Sequence, residues 1–477
     1  MVKNLDTMKE KIVVLGAGIG GLSAGYFLAK TGKYEVTVLE KARVTGGLCA
    51  SFEHDGFTLD YGAHKIYSVI PGVLDEIQTL MGDRLLTLPK KNRLFLRGHL
   101  VDYPLKLGNL AKVLGFGTFI RLGLGYALEL ARGILGSPTP KSYEEYMIQR
   151  FGRPAYELVF EPLADKVWGG PNTLHPEMAR ARVPASGGIE VILKLLGIKK
   201  ETAETNAEFF YYPRAGFGDL PQAMVEMIEA SGGQVIVNAD VRELARDGAK
   251  ITAVSGTVAG KPAEFEIDYL VSSIPLPVLG RLLFGSDAAV LPSIDELAFR
   301  HLVLVYIFAE KDLLLEDQWI FFPEREYIFS RIFEQKQMNP ELGPAGRTAI
   351  ACDFTCNEDS WQWQASDEEL AQKTIEGLVE GGFLKEEDVS RYYVTRTRNF
   401  YPRYDLTYVE KMKQVSNQLQ ETENLLLTGR IGMYNYNNSD HCVDMGRFIA
   451  ENLSAGHPPV DVWNELEQRV ADYKIVD

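Results

Sequence analysis

The chain has 477 residues, of which 46% are hydrophobic, so it is long enough for about two or three globular domains. Its formal net charge of −15 argues against a general nucleic-acid partner, because phosphate binding needs a basic face. The few cysteines lack the spacing of a metal site and the charged N-terminus is unlike a signal peptide, so we expect reduced thiols, no bound metal and a cytoplasmic protein.

The first predicted element is a nucleotide-binding unit. A short apolar strand begins near Lys11 and is followed by a glycine-rich turn over residues 16–21, which opens a helix. A second strand over residues 35–39 ends at Glu40. Strand, glycine turn, helix, strand and terminal acid follow one another in the order of a Rossmann dinucleotide-binding unit.

Each of these residue types has a physical task in such a unit. Gly16 permits the tight turn, and Gly18 lets backbone N–H groups approach a pyrophosphate at the N-terminus of the helix. Gly21 lets the helix lie close to the strand. Glu40 stands where a carboxylate accepts hydrogen bonds from both ribose hydroxyls of an adenosine. The unit is therefore predicted to bind a dinucleotide.

The segment that follows Glu40 narrows the choice of dinucleotide. Its paired glycines, Gly46 and Gly47, together with Leu48, resemble the extension found in FAD enzymes of the amine oxidase superfamily. In that superfamily the paired glycines pass close to the pyrophosphate and ribityl chain of FAD. The resemblance therefore implies FAD, and not NAD, as the cofactor.

A helical region follows the nucleotide-binding unit. Its first part, residues 110–135, is strongly apolar, but Lys112, Arg121, Glu129 and Arg132 leave no uncharged run of the ~20 residues that a membrane span needs. We expect no transmembrane segment here. Two interpretations remain open: buried or amphipathic helices of a soluble domain, or a helix that lies on a membrane surface.

Strand patterns return in the second half of the chain. A buried strand is predicted over residues 233–237 and a last one over 424–427. Gly429 and Arg430 follow the last strand, and a loop then leads to a final helix around Met445. The N-terminus of that helix is expected to direct its positive dipole end at the flavin ring.

These elements divide the chain into interleaved parts. The predicted fold class is α/β, with a Rossmann-type two-strand FAD-binding domain, a helical insertion and a β-sheet-based substrate domain. The FAD-binding domain comprises residues 1–104, 206–275 and 396–477. The helical insertion or cap is residues 105–205, and the substrate domain is residues 276–395.

Further motifs resemble a narrower group, the flavoenzymes that include UDP-galactopyranose mutase and the protoporphyrinogen oxidase-like proteins. The resemblance covers nearly the whole chain. Its markers, in chain order, are Asp60-Tyr-Gly-Ala-His64, Asp102-Tyr103-Pro104, the segment from Phe160 to Trp168, Ala181-Arg182-Val183, Tyr212-Pro213, Tyr401-Pro402 and the segment from Gly429 to His441.

The resemblance implies a specific chemistry. In the mutases, N5 of the reduced flavin attacks the anomeric carbon of the sugar while UDP leaves, and the sugar ring opens and recloses with no net redox change. Such a site must stabilise a departing pyrophosphate and exclude water, which calls for arginine and tyrosine side chains. The implied catalytic residues are His64, Arg182 and Arg331, and the implied substrate-binding residues are Tyr103, Trp168, Tyr401, Tyr436 and Asn438.

The cofactor-binding set combines the glycine motifs with positions taken from the resemblance, which places Val241 at the adenine. The set is Gly16, Gly18, Gly20, Gly21, Glu40, Gly46, Gly47, Leu48, His64, Val241, Gly429, Arg430 and Met445. Ordinary roles stay open beside these functional ones: surface ion pairs for the arginines, and core packing for the aromatic residues and His64.

Three functions remain to be distinguished. The first is a mutase-like flavoenzyme acting on a small molecule such as a UDP-sugar. The second is an FAD-dependent oxidoreductase, such as a protoporphyrinogen oxidase, amine oxidase or carotenoid desaturase, acting on a small or apolar substrate. The third is a flavin-binding protein without catalysis. No second glycine-rich dinucleotide unit follows residue 100, so NADPH could act as reductant only without a Rossmann unit of its own.

Overall fold

The computed structural model describes residues 9–102, 113–180, 208–285 and 291–475. Its strands in chain order are β1 (Glu10–Leu15), β2 (Tyr34–Leu39), β3 (Ser51–His54), β4 (Phe57–Asp60), β5 (Leu85–Pro89), β6 (Asn92–Leu96), β7 (His99–Asp102), β8 (Phe209–Pro213), β9 (Gln234–Ile236), β10 (Ala239–Asp247), β11 (Lys250–Val258), β12 (Lys261–Glu266), β13 (Tyr269–Ser272), β14 (Phe299–Ala309), β15 (Trp319–Phe321), β16 (Arg331–Glu334), β17 (Thr348–Cys356), β18 (Val389–Pro402) and β19 (Leu425–Leu427).

The α-helices of the same residues connect and cover these strands. They are α1 (Ile19–Lys30), α2 (Val73–Met81), α3 (Phe116–Gly136), α4 (Tyr143–Phe151), α5 (Arg153–Ala155), α6 (Glu161–Val167), α7 (Glu177–Arg180), α8 (Asp219–Ala230), α9 (Leu276–Phe284), α10 (Leu291–Asp295), α11 (Trp361–Gln364), α12 (Asp367–Glu380), α13 (Tyr408–Leu419), α14 (Ser439–Ser454) and α15 (Pro459–Ala471).

A five-stranded sheet forms the centre of the nucleotide-binding part. Its order is β19–β13–β1–β2–β9, and every neighbouring pair is parallel. α1 connects β1 to β2, and all of its residues except Lys30 are buried. The strands are short apolar runs, as expected for a parallel sheet covered on both faces. This is the Rossmann-type arrangement that the sequence predicts, and its strands come from three separate parts of the chain.

The last long helix lies directly against the first. α14 contacts α1, and the crossing point is Gly446. A Cβ placed on Gly446 would lie 2.5 Å from the carbonyl carbon of Ser23 and 2.6 Å from the backbone nitrogen of Ala24. Because both neighbours are backbone atoms, they cannot rotate away. The close approach of the two helices therefore requires glycine at this position.

A seven-stranded sheet forms the second layer, in the order β18–β14–β17–β16–β15–β6–β7. Its neighbouring pairs are antiparallel except β15 with β6. The sheet does not follow the predicted division: β6 and β7 lie within residues 1–104, and β18 runs across residue 395. Pairing between strands so distant in the chain leaves no local pattern in the sequence. The domain boundaries themselves remain predictions.

Two helical expectations need adjustment. The helix around Met445 begins at Ser439, so Met445 lies in its second turn and the helix N-terminus is further upstream than predicted. That helix is also followed by α15, so it is not the last one. Residues 116–135 of the apolar stretch belong to α3, which has 21 residues and ends at Gly136. Among the helices described, none has the length and apolar character needed to cross a membrane.

Replacing Gly446 with alanine should destabilise the protein. The added Cβ would collide with the backbone of α1, and overpacking of this kind costs about 1–3 kcal/mol. Gly117→Ala in α3 is the matched control, because a Cβ there meets no atom within 4 Å and alanine favours a helix by up to ~1 kcal/mol over glycine. Urea unfolding of both variants measures the difference. Equal midpoints for the two variants would contradict the close crossing.

Candidate functional site

The glycine turn after β1 forms an open cradle. Gly16 has a φ of +91°, and its N–H donates to the carbonyl of Leu39 at 2.8 Å. A Cβ on Gly21 would lie 1.9 Å from the carbonyl oxygen of Gly16, so only glycine allows α1 to start here. By contrast, a Cβ on Gly18 would meet no atom within 4 Å. The backbone at Gly18 is therefore open on this side, next to the N-terminus of α1, where a pyrophosphate is predicted to bind.

Glu40 closes the adenosine side of this cradle. Its two carboxylate oxygens accept hydrogen bonds from the N–H groups of Ala17 and Ala42, each at 2.7 Å. Its backbone carbonyl accepts from the N–H of Ala239 at 2.8 Å, which brings the start of β10, the strand that contains Val241, next to the backbone of Glu40. A carboxylate oxygen can accept more than one hydrogen bond. Ribose hydroxyls can therefore bind to Glu40 while it holds the turn.

The paired glycines run along the other side of the turn. Gly46 and Gly47 have φ values of +101° and +55°, and the N–H of Gly46 donates to the carbonyl of Ala17 at 2.7 Å. A Cβ on Gly47 would lie 3.2 Å from the Cα of Gly18. Leu48 packs, partly buried, against the hydrophobic core. Two backbone segments thus approach the pyrophosphate position from opposite sides, as the predicted FAD extension requires.

The C-terminal residues of the predicted set lie across α1 from the paired glycines. A Cβ on Gly20 would lie 2.7 Å from the Cα of Gly429. The N–H of Gly429 points at the sulfur of Met445, 3.3 Å away. Arg430 donates from Nε and one Nη to the carbonyl of Asn437, at 2.8 and 2.6 Å. The loop between β19 and α14 is thereby fixed next to the start of α1.

His64 is a buried, neutral imidazole at the centre of the site. Its Nδ1 atom has no hydrogen-bond partner among the described residues, and its ring stacks on Phe217 with 4.6 Å between ring centroids. Burial, followed by the positive charges of Arg331 and Arg430, lowers the pKa of His64 to about 3. A bound FAD ring could exchange a hydrogen bond with this uncharged nitrogen of His64.

Arg331 is held by an acid that the sequence prediction missed. Its Nε and one Nη lie 2.7 and 2.5 Å from the same carboxylate oxygen of Asp353. The hydroxyl of Ser330 donates to the other oxygen of Asp353 at 3.0 Å. Asp353 is the one charged residue of the fully buried β17, and that isolation is the signal that could have revealed it.

An aromatic wall, made of Trp168, Tyr401 and Tyr436, lies beside Arg430. The ring of Tyr436 is 5.9 Å from that of Trp168 and 4.8 Å from that of Tyr401. The guanidinium of Arg430 lies 5.0 Å from the ring centroid of Tyr401. Arg403 fixes the wall by donating from Nε to the carbonyl of Trp168 at 3.0 Å. Three predicted substrate-binding residues are therefore brought together, next to a predicted cofactor-binding one.

The remaining predicted residues are placed differently. The side chain of Asn438 caps the N-terminus of α14, and the backbone N–H of Asn438 donates to Nδ1 of His441 at 3.0 Å, so Asn438 has a structural task here. Tyr103 and Arg182 lie outside the described residues. The functional roles of all the site residues stay predictions.

A buried polar network beneath His64 was not anticipated from the sequence. The Asp60 carboxylate accepts from the hydroxyls of Ser51 and Tyr212 and from the N–H of Phe217, and burial raises its pKa. The hydroxyl of Tyr306, on β14, donates to the backbone carbonyl of Asp60 at 2.6 Å. These bonds join the second sheet to the segment that carries His64.

Comparison with known proteins agrees with this geometry. The family model described as flavin containing amine oxidoreductase matches residues 19–430. A 15-cis-phytoene desaturase from Synechococcus elongatus is 24% identical over 295 residues, which are 57% of this chain and 59% of that protein. The chain thus matches less than two thirds of the length of the curated relatives.

Two solved structures share the fold over most of their length. Reduced UDP-galactopyranose mutase superposes with a TM-score of 0.81 at 20% identity, covering 98% of this chain and 100% of that one. A putative protoporphyrinogen oxidase from Exiguobacterium sp. gives a TM-score of 0.69 at 18% identity, covering 94% and 99%. The predicted fold class is confirmed, and so is FAD as the cofactor.

Glu40→Ala should weaken FAD binding at least ~10-fold, because a charge-assisted hydrogen bond contributes about 1.5–3 kcal/mol. The variant also removes the acceptor for the N–H groups of Ala17 and Ala42. Titration of the apoprotein with FAD, followed by flavin fluorescence, gives the Kd. Glu35→Ala is the control, since Glu35 is exposed on the same strand. An unchanged Kd for Glu40→Ala would refute the assignment.

His64 should make the stability depend on pH. Its folded pKa of about 3 lies below the ordinary value of about 6.5, so the unfolded chain takes up the proton first. The contribution of the neutral imidazole to the free energy of unfolding is fully present above about pH 6.5. It is lost as the pH falls towards 3, by at most ~1.4 kcal/mol per pH unit. The wild-type minus His64→Gln difference in unfolding free energy measures it. A difference that stays constant through this window would show that His64 titrates normally.

Proposed function

The chain belongs to the flavin-containing amine oxidoreductase family and is an FAD-dependent enzyme, and from this premise we propose that it acts on a nucleotide sugar in the manner of a UDP-galactopyranose mutase. The observation that supports the proposal is that the neutral His64 lies near both Arg331 and Arg430, and that Arg430 also contacts the aromatic wall. The near full-length likeness to the mutase fold supports it as well.

In this proposal the bound FAD supplies, when reduced, the nucleophile for the sugar carbon. Arg331 binds the pyrophosphate oxygens, and Asp353 holds the guanidinium in position for them. Tyr401 and Tyr436 donate hydrogen bonds to the same leaving group, and Trp168 excludes water from it. Arg182 and Tyr103 complete the proposed substrate contacts.

The protonation state of His64 fits this role. A neutral imidazole adds no positive charge beside the reacting centre, and it can exchange one hydrogen bond with the flavin ring. Positive charge beside His64 then comes from Arg430, which donates to a backbone carbonyl, and from Arg331, whose charge is shared with Asp353 until a substrate binds. The charge is therefore available to the leaving group, where it stabilises the transition state most.

A second candidate is an FAD-dependent oxidoreductase that acts on an apolar or small substrate. Two observations favour it. One curated relative is a 15-cis-phytoene desaturase, and the pairing of Arg331 with Asp353 already neutralises the charge of that arginine. A wall of aromatic rings suits an apolar substrate as well as it suits a sugar.

One experiment separates the two candidates. The purified holoenzyme is reduced anaerobically, with dithionite and separately with NADPH, and is then offered UDP-galactopyranose. Mutase turnover needs reduced flavin and consumes no oxygen. In parallel, the oxidised enzyme is offered amines, porphyrinogens and phytoene while oxygen consumption is followed. Turnover in the second set alone would replace the mutase proposal with the oxidoreductase.

Arg331→Ala should lower kcat/KM for the nucleotide sugar by at least ~10²-fold, the loss expected when one donor to developing charge is removed. The single variant leaves Asp353 buried and unpaired, which itself costs about 3–5 kcal/mol of stability. Arg331→Ala combined with Asp353→Asn is therefore the matched control. It should recover stability and a normal flavin spectrum without recovering activity.

Two results would contradict the proposed role. One is full activity in the double variant, which would mean that Arg331 only neutralises Asp353. The other is the failure of UDP both to protect the wild-type holoenzyme against thermal unfolding and to perturb its flavin spectrum in either redox state.

A further inference from the structure

The helix α3 leaves one of its sides uncovered by the rest of the described chain. Large apolar side chains recur along this side at helical spacing, and several are more than half exposed. They are Phe116 (76%), Ile120 (44%), Leu124 (67%), Leu128 (52%), Ile134 (82%) and Leu135 (88%). At 100° per residue these positions fall within one third of the helix circumference, and the 21-residue helix is about 30 Å long. We call them the apolar face.

The opposite side of α3 is anchored to the protein. A Cβ on Gly125 would lie 2.4 Å from the ring of Pro154, so the helix touches α5 there. Glu129 is only 7% exposed and forms an ion pair with Arg132. The orientation of the helix is therefore fixed, and the apolar face is directed away from the body of the protein.

The charges around the apolar face have one dominant sign. The described residues 113–141 contain two arginines, one lysine and one glutamate, in a chain whose net charge is −15. The glutamate is the buried Glu129. Arg121 and Arg132 border the apolar face with side chains that are 70% and 60% exposed. Arg121 pairs with Glu157. An exposed ion pair of this kind contributes little to stability, so another anion can take the place of Glu157.

We propose that α3 lies in the surface of an anionic lipid bilayer, with its apolar face among the acyl chains and its arginines at the headgroups. An exposed apolar side flanked by basic residues is the pattern that binds such a surface. A second copy of this chain is the less suitable occupant, because pairing two such faces would bring two sets of positive charge together. The proposal does not depend on which substrate the flavin site takes.

The test is cosedimentation of the holoenzyme with vesicles, either of phosphatidylcholine alone or of phosphatidylcholine mixed equally with phosphatidylserine. Wild-type protein should bind the mixed vesicles, and high salt should weaken that binding because the arginine contribution is screened. Leu124→Glu combined with Leu128→Glu should weaken it at least ~10-fold, since each lost leucine contributes more than about 1 kcal/mol. Leu406→Glu combined with Val409→Glu is the matched control, because these residues are 47% and 45% exposed elsewhere.

The flavin spectrum shows whether each variant has folded, so a loss of binding can be assigned to the surface alone. Weaker binding of Arg121→Gln to the mixed vesicles would support the contact between the arginines and the lipid headgroups. Wild-type protein that sediments with neither vesicle would overturn the proposal. So would equal loss of binding in the control variant, or a concentration-dependent dimer that Leu124→Glu with Leu128→Glu abolishes in the absence of any vesicle binding.

Discussion

The nucleotide-binding part depends on places where two backbone segments meet with no room for a Cβ. Gly21 lies against the carbonyl of Gly16, Gly20 lies against Gly429, and Gly446 lies against the backbone of α1. Because every one of these neighbours is a backbone atom, a side chain could be accommodated only by moving whole elements. These contacts bring together α1, the loop that follows β19, and α14. The cofactor cradle is the space between them.

The interior of the site is nearly balanced in charge, although the chain is strongly acidic. Arg331 is paired with Asp353, His64 is kept neutral by burial and by nearby positive charge, and burial raises the pKa of Asp60. Arg430 donates to a backbone carbonyl, which offers no countercharge. In an interior of low dielectric constant, an unpaired charge is costly. The arrangement therefore concentrates positive potential at Arg430.

The sequence predicts this fold well where its signals are local. The turn from Gly16 to Gly21 and the acid at Glu40 are separated by one helix and one strand, and the spacing alone implies their task. Partners that are distant in the chain have no such pattern, which is why the Asp353 carboxylate and the pairing of β6 with β15 were not foreseen. Asn438 differs from both. It lies in a motif from which substrate binding was predicted, whereas its side chain caps the N-terminus of α14.

The order of strands in the parallel sheet also bears on how the protein is made. β19, at residues 425–427, pairs with β13, which pairs with β1 at the other end of the chain. Contacts between such distant segments form slowly, because a long loop must close before they add stability. A nascent chain that has not yet released Gly429 and α14 from the ribosome lacks one side of the cradle. Flavin capture thus requires synthesis beyond α14, and it stabilises only chains that have passed this point.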